Sequence, residues 1–273
     1  MSQKKPKLGQ NFLTDPSARL RIVEALGDIS NSTVLEIGPG RGALTDLLAK
    51  RAHRLIAVEL DRVLAPRLTE TWKHADHVRI HQGDILELDL ASLPNVVGLS
   101  FNDPLVVVGN LPYYITSDIL LHLFAQANSV ARAVVMVQDE VADRIAAKSG
   151  TSDYGVLSAT AQMHARVEKL FVLPPEAFTP PPKVHSAVVR LEMRPRFHEL
   201  QVERIYFMRF LQLCFHQKRK TLANNLKGMH IGMAATSSVQ TVIEEVGLNP
   251  SVRAEAVSLE AMAQLYRRLN AAR

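Results

Sequence analysis

Apolar positions along this chain alternate between short unbroken runs and stripes at helical spacing. The runs are "STVLEI", "RLIAVEL", "HVRI", "LVVVGN" and "ARAVVMVQ", and each is short enough for a strand buried on both faces. Between them come stretches that read as helices. Residues 17–29 carry Leu20, Val23 and Leu26 at helical intervals, with Gly27 as the stop. Residues 42–52 and 61–72 are the next two, and Pro66 either kinks the second or sits in its first turn. Residues 116–126 follow, with Thr116 or Ser117 as cap, and then residues 139–147. Strand and helix in strict alternation predict an α/β fold with a doubly wound, mostly parallel sheet. After about Gly150 the rhythm changes. A proline-rich loop and an alternating strand occupy residues 174–195, and from about Val202 the pattern is helical throughout. The expected division is a larger domain over residues 1–198 and a small C-terminal helical domain over 199–273.

Composition narrows the class. Of 273 residues, 47% are hydrophobic and 22% charged, which suits a globular core and excludes a disordered chain. A net charge of +5 and a pI of about 9.4 favour an anionic partner, nucleic acid first. Cys214 is the one cysteine, so an intrachain disulfide and a cysteine-rich metal site are both excluded, and a reducing cytoplasm fits. The histidines lack zinc-motif spacing, and no metal is expected. "MSQKKPKLGQNF" carries charge and no apolar stretch, so it does not read as a secretory signal. No apolar run approaches the roughly 20 residues of a membrane span. Nothing points to an obligate oligomer, and a monomer is expected.

The chemistry begins at "LEIGPGRGALT". Gly38, Gly40 and Gly42 stand between a strand and a helix, where bare backbone lets a ligand come close and the helix start offers free N–H groups. Glu59 closes the next strand about twenty residues on, where an acid takes the hydroxyls of a ribose. Asp84, at the end of the third strand, is placed to accept from an adenine amine; alternatively it merely opens a Gly-Asp turn. These residues suit an adenosine ligand and do not separate a dinucleotide from S-adenosylmethionine.

The fourth strand makes the separation. "VVVGNLPYYI" ends in an amide, a proline and two tyrosines at the sheet edge where such folds bind ligands. Asn110 supplies an acceptor oxygen. Pro112 holds Leu111 extended so that a backbone carbonyl joins it, and Tyr113 supplies a face on which a base stacks. Two acceptors beside a stacking face fit the exocyclic amine of adenine. That nitrogen is a poor nucleophile because its lone pair is delocalised into the ring. Holding its hydrogens localises the pair and stabilises the charge that grows during alkylation. Gly109 is read as letting the chain approach the ligands.

With these residues in hand, the chain resembles the ribosomal RNA small-subunit adenine N6-dimethyltransferase family. "LGQNFLTD", "LEIGPGRGALT", "VVGNLPYYI", "FTPPPKVHSAVV" and "FHQKRKTLANNL" stand in that family's order over most of the chain. The resemblance implies a Rossmann-like methyltransferase fold and dimethylation of two adjacent adenines near the 3′ end of small-subunit rRNA, within a 30S precursor. It implies S-adenosylmethionine held by Asn11, Leu13, Gly38, Glu59, Asp84 and Asn110. It implies a catalytic turn of Asn110, Leu111, Pro112 and Tyr113, with Phe178 as a second stacking wall. "FHQKRKTLANNL" resembles a basic helix, with Phe215, Leu222 and Leu226 on its packed stripe and Lys218, Arg219 and Lys220 toward RNA phosphates, joined by Lys4, Lys5 and Lys7. Tyr114 departs from the family's usual Asn.

Three competing readings stay open at this level. A nucleotide-dependent dehydrogenase would use the glycine loop and Glu59 but leaves "NLPY" unexplained. A non-catalytic RNA-binding assembly factor would share the fold. A sibling acting on large-subunit rRNA would share the chemistry.

Overall fold

The computed structural model describes residues 11–99, 103–227 and 239–270; Lys4, Lys5 and Lys7 lie outside them. The chain divides into two compact units, one of residues 1–142 and 166–193, the other of 143–165 and 194–273.

The first unit is built on a seven-stranded sheet. Its strands are β1 (Thr33–Ile37), β2 (Arg54–Glu59), β3 (Val78–Gln82), β4 (Leu105–Asn110), β5 (Val130–Gln138), β6 (Ala165–Leu173) and β7 (Ser186–Met193), in the spatial order β3-β2-β1-β4-β5-β7-β6. The pairs among β1 to β5 are parallel, and β7 runs antiparallel to β5. The chain works outward from β1 to β3 and then returns to place β4 on the other side of β1. That reversal opens a crevice at the carboxyl ends of β1 and β4, where Ile37 lies opposite Gly109.

Helix α1 (Pro16–Glu24) precedes β1; α2 (Thr45–Ala49), α3 (Leu64–Trp72), α4 (Leu93–Val97) and α5 (Thr116–Ala125) connect the strands, and α6 (Asp139–Ala146) leaves β5. Helix α1 starts because Asp15 accepts from the N–H groups of Ser17 and Ala18 and Pro16 stands at the first helical position. Its buried face is Ala18, Ile22 and Val23, while the expected anchor Leu20 is 39% exposed. Pro66 sits in the first turn of α3, where its missing N–H removes no helical bond. The expected caps of α5 are corrected: Ile115 precedes the helix, and Thr116 instead donates to the Pro112 carbonyl at 3.0 Å.

The second unit holds α7 (Val156–His164), α8 (Arg204–Cys214), α9 (Leu222–Leu226), α10 (Val239–Glu245) and α11 (Leu259–Asn270) around Phe207, Leu211, Cys214, Leu222, Ile243 and Leu265. Two expectations change here. The helical unit begins after Met193 rather than at 199, and it also takes residues 143–165, because "VLSATAQMH" buries Ala159 and Met163 in that helical core. The basic helix read from "FHQKRKTLANNL" is instead a turn that follows the end of α8 and then the short helix α9. Thr221 caps α9 by accepting from the Asn224 N–H. The Asn225 amide donates to the carbonyls of Cys214 and Gln217 and accepts from the Gln217 N–H, so it closes the end of α8.

Candidate active site

The crevice opens into a cavity of about 1090 Å³, its mouth included, lined by Asn11, Leu13, Gly38, Glu59, Asp84, Asn110, Leu111, Pro112 and Tyr113 among others. Residues scattered over a hundred positions of sequence meet there because β1, β2 and β4 are adjacent in the sheet and end at one level.

The glycine loop follows β1, and Gly38, Gly40 and Gly42 have φ of 64°, 60° and 84°. Gly40 shows why a side chain is excluded: besides its left-handed backbone, a Cβ there would stand 3.2 Å from the Phe12 ring. The Arg41 guanidinium lies over that same ring, 4.4 Å from its centroid. Glu59 is 5% exposed, and both its oxygens are anchored. Oε2 accepts from the Gly40 N–H and Oε1 from the Asp61 N–H, each at 2.9 Å. Each oxygen keeps a further lone pair for a ligand hydroxyl. Asp84 does begin a short turn, accepting from the Leu86 N–H at 2.9 Å, and it lines the cavity as well.

Beneath the loop lies a group that the sequence reading passed over. Glu36 is the fourth residue of β1, 2% exposed, and reaches the cavity floor. Its Oε2 accepts from the Thr45 hydroxyl at 2.7 Å. Burial pushes its pKa up to about 8, the Thr45 bond works against that, and the charges of Glu59 and Asp46 add to it.

The turn from Asn110 to Tyr113 is held from outside itself. The Asn110 Nδ2 donates to the Asn11 carbonyl at 2.9 Å. A carbonyl can only accept, so this contact fixes the amide's orientation and leaves Oδ1 as the outward acceptor, with no donor to it among the described residues. Leu111 donates its N–H to the Met136 carbonyl of β5 at 3.0 Å. The Pro112 carbonyl is taken by the Thr116 hydroxyl and the Ile115 N–H. The second acceptor is therefore the Leu111 carbonyl, to which no described group donates. The Tyr113 hydroxyl meets the Ser186 hydroxyl at 2.7 Å. Burial raises the Tyr113 pKa above its usual range, and the Ser186 bond opposes that rise.

A family model described as ribosomal RNA adenine dimethylase matches residues 1–271. The chain belongs to the ribosomal RNA adenine dimethylase family. Among similar curated proteins is "Ribosomal RNA small subunit methyltransferase A" of Koribacter versatilis, 55% identical over 273 aligned residues that cover 97% of this chain and 94% of that one. The protein of the same name from Acidobacterium capsulatum is 54% identical, over 97% and 91%. Two solved structures share the architecture. One is a dimethyladenosine transferase from Plasmodium falciparum, with TM-score 0.80 and 23% identity over 96% of this chain and 98% of that one. The other is the 23S rRNA methyltransferase ErmE, with TM-score 0.69 and 26% identity over 95% and 100%.

For a ribosomal RNA adenine dimethylase, two placements differ from the sequence reading. Phe178 does not line the cavity. It is 2% exposed, pairs with Leu13 across a small antiparallel ladder, and packs in the core with Leu13, Ala177 and Val188. An apolar ring of this size gains more from that core than from a place on an open wall. Gly109 has a reason within the sheet itself: a Cβ there would stand 2.8 Å from the Ile37 carbonyl oxygen. Lys218, Arg219 and Lys220 lie in the α8–α9 turn of the helical unit, all exposed, with the Lys218 ammonium donating to the Ser152 carbonyl at 2.7 Å. The sequence reading missed Glu36, Phe12 and Ser186. Glu36 carried a signal as a carboxyl inside an apolar run, and Ser186 a weaker one as the polar residue ahead of three apolar ones.

Proposed function

We propose that this protein transfers methyl groups from S-adenosylmethionine to the exocyclic N6 of two adjacent adenines near the 3′ end of small-subunit (16S) rRNA. The observation that carries the chemistry is the Asn110 amide, turned by the Asn11 carbonyl so that its oxygen and the Leu111 carbonyl are both open beside Tyr113. The identities favour the small-subunit target, at 54–55% to proteins named for that subunit against 26% to the 23S enzyme.

The cavity fits the cofactor on the chain's own features: a glycine loop whose Gly40, at φ 60°, would press a Cβ against Phe12, and a buried carboxylate with a lone pair free on each oxygen. Glu59 would hold a ribose diol, Asp84 an adenine amine, and Asn11, Leu13, Gly38 and Asn110 the remainder. When bound, S-adenosylmethionine supplies a methyl group activated by a sulfonium. Asn110 Oδ1 and the Leu111 carbonyl accept the two N–H bonds of the target amine and pull the nitrogen toward tetrahedral geometry. The same oxygens stabilise its positive charge as the new bond forms. Tyr113 fixes the plane of the base, and positioning supplies much of the remaining rate. No strong base is needed, since the alkylated nitrogen sheds its proton readily.

The finer reading is a cytoplasmic monomer acting on a 30S precursor during small-subunit biogenesis, with Lys218, Arg219 and Lys220 on rRNA phosphates. Among the described residues no helix is long and apolar enough to cross a membrane. The test is mass spectrometry of nucleosides from unmethylated small subunits incubated with labelled S-adenosylmethionine. Wild type yields dimethyladenosine near the 3′ end, and Asn110→Ala lowers the rate by a factor on the order of 10² or more while subunit binding persists. Turnover by Asn110→Ala at the wild-type rate removes the assigned mechanism.

A further inference from the structure

The two acceptors of the turn can both be satisfied once per adenine. Before the first transfer the amine carries two N–H bonds, one for Asn110 Oδ1 and one for the Leu111 carbonyl. Afterwards one N–H remains, and the methyl group points where the other was. In the second round the base is held by one hydrogen bond and by its contact with the Tyr113 face. Whatever keeps that face still therefore matters more in the second round than in the first.

The structure shows what keeps it still. The Tyr113 hydroxyl lies 2.7 Å from the Ser186 hydroxyl, 73 residues away in sequence. A tyrosine hydroxyl sits on the axis about which the ring flips, so this bond leaves flips free. It prevents the ring plane from swinging about the Cα–Cβ bond. Ser186 is itself immobile: it is fully buried, opens β7, and pairs with Gln138 of β5. The next residue of the chain after Gln138, Asp139, donates its N–H to the His185 carbonyl at 3.0 Å, which locks the strand start on the other side. Strand β5 also receives the Leu111 N–H through Met136, so the stacking face and the acceptor turn are referenced to one strand.

We propose that Ser186 is a positioning residue for the second methyl transfer, acting through the Tyr113 hydroxyl to make dimethyladenosine rather than monomethyladenosine the product. This rests on the methyltransferase reading above. The Tyr113 side chain is only partly buried and Ser186→Ala removes a single oxygen, so the loss shows as freedom of the ring rather than as collapse of the site.

The experiment is a time course of monomethyl- and dimethyladenosine by nucleoside mass spectrometry, using the full-length protein, unmethylated small subunits and S-adenosylmethionine. The proteins are wild type, Ser186→Ala, Tyr113→Phe and the double variant, each with its thermal unfolding midpoint. Ser186→Ala is expected to slow the second transfer about fivefold more than the first, the net worth of one hydrogen bond, so that monomethyladenosine accumulates. Tyr113→Phe is expected to give the same partition, and the double variant no further change, because all three lose one interaction. A wild-type partition in Ser186→Ala overturns the proposal, and so does a partition unchanged in Tyr113→Phe, which also carries the test should Ser186→Ala fail to fold. Additive effects in the double variant overturn it too. A merely structural role lowers the unfolding midpoint and leaves the partition where it was. If wild type makes no dimethyladenosine, the methyltransferase reading itself fails, an outcome distinct from all of these.

Discussion

Replacing Glu36 with Gln tests whether a carboxyl on the cavity floor is held neutral by its surroundings. The side chain is 2% exposed, and its pKa moves from the ordinary 4.5 to about 8 chiefly because burial penalises the charged form. Below pH 4.5 the group is protonated both folded and unfolded, and it has no effect on the pH dependence of stability. Between 4.5 and about 8 the unfolded chain has lost the proton while the folded chain keeps it, so rising pH favours unfolding. Above that window both states are ionised and the folded state bears the whole penalty. The gap corresponds to on the order of 5 kcal/mol at roughly 1.36 kcal/mol per pH unit. Gln has the same shape and still accepts from the Thr45 hydroxyl through its amide oxygen, but it has no proton to lose. Urea unfolding of wild type and Glu36→Gln at each pH from about 5 to about 9 isolates the effect, since every other titrating group largely cancels in the difference. The variant is expected to gain several kcal/mol relative to wild type across that range, with most of the change below about pH 8. Curves that stay parallel within about 1 kcal/mol would refute the reasoning, because that is the size of an ordinary surface carboxylate's effect.

Other substitutions probe the frame and the basic turn. Gly109→Ala drives a Cβ against the Ile37 carbonyl oxygen, 2.8 Å away in the middle of the sheet; urea unfolding should show a loss of roughly 1–3 kcal/mol, with methyl transfer reduced in step. Phe178→Ala empties a core position and should cost about 3–5 kcal/mol by the same assay, whereas Phe178→Leu should lose far less and keep its activity. Changing Lys218, Arg219 and Lys220 together to Ala should leave the unfolding midpoint nearly unmoved, since all three are exposed. It should flatten the salt dependence of rRNA binding by about 0.7–0.9 in logarithmic slope for each phosphate those side chains neutralise.

The parts of this protein that are legible in sequence are those with local punctuation. Strand β4 announces itself by three valines and ends at an Asn and a Pro that no buried strand would continue through. The glycine loop and Glu59 follow the same logic of short range and fixed spacing. Strand β6 is not foreseen, and the reason is local too: α7 ends at His164 and β6 starts at Ala165 with no glycine or proline between them. Arg166, Val167 and Glu168 do alternate as a strand should, but Lys169 breaks the pattern after three residues, too short a run to read. The basic segment misleads in the opposite way. Its apolar positions keep helical spacing across a break made by side chains, the Thr221 cap and the Asn225 amide, whose effect depends on which carbonyls lie within reach. The burial of Phe178 in the core is equally hard to read, because a motif names a residue but not the side of the sheet from which it packs.

The site's decisive contacts belong to the illegible class. Asn110 is oriented by a carbonyl 99 residues away, and Tyr113 by a hydroxyl 73 residues away. Leu111 is tied to β5 by a bond that exists only once the sheet has formed. Each of these fixes a different atom of one short turn: an amide nitrogen, a backbone N–H and a phenol oxygen. Together they hold the turn in place and leave the Asn110 Oδ1 and the Leu111 carbonyl without a donor among the described residues. Pro112 contributes by lacking an N–H that would otherwise compete for the Asn110 Oδ1, and by holding φ at −59°. Under the proposed function, an amine entering the cavity meets two acceptors already held in place, and preorganisation of that kind is what lowers a barrier.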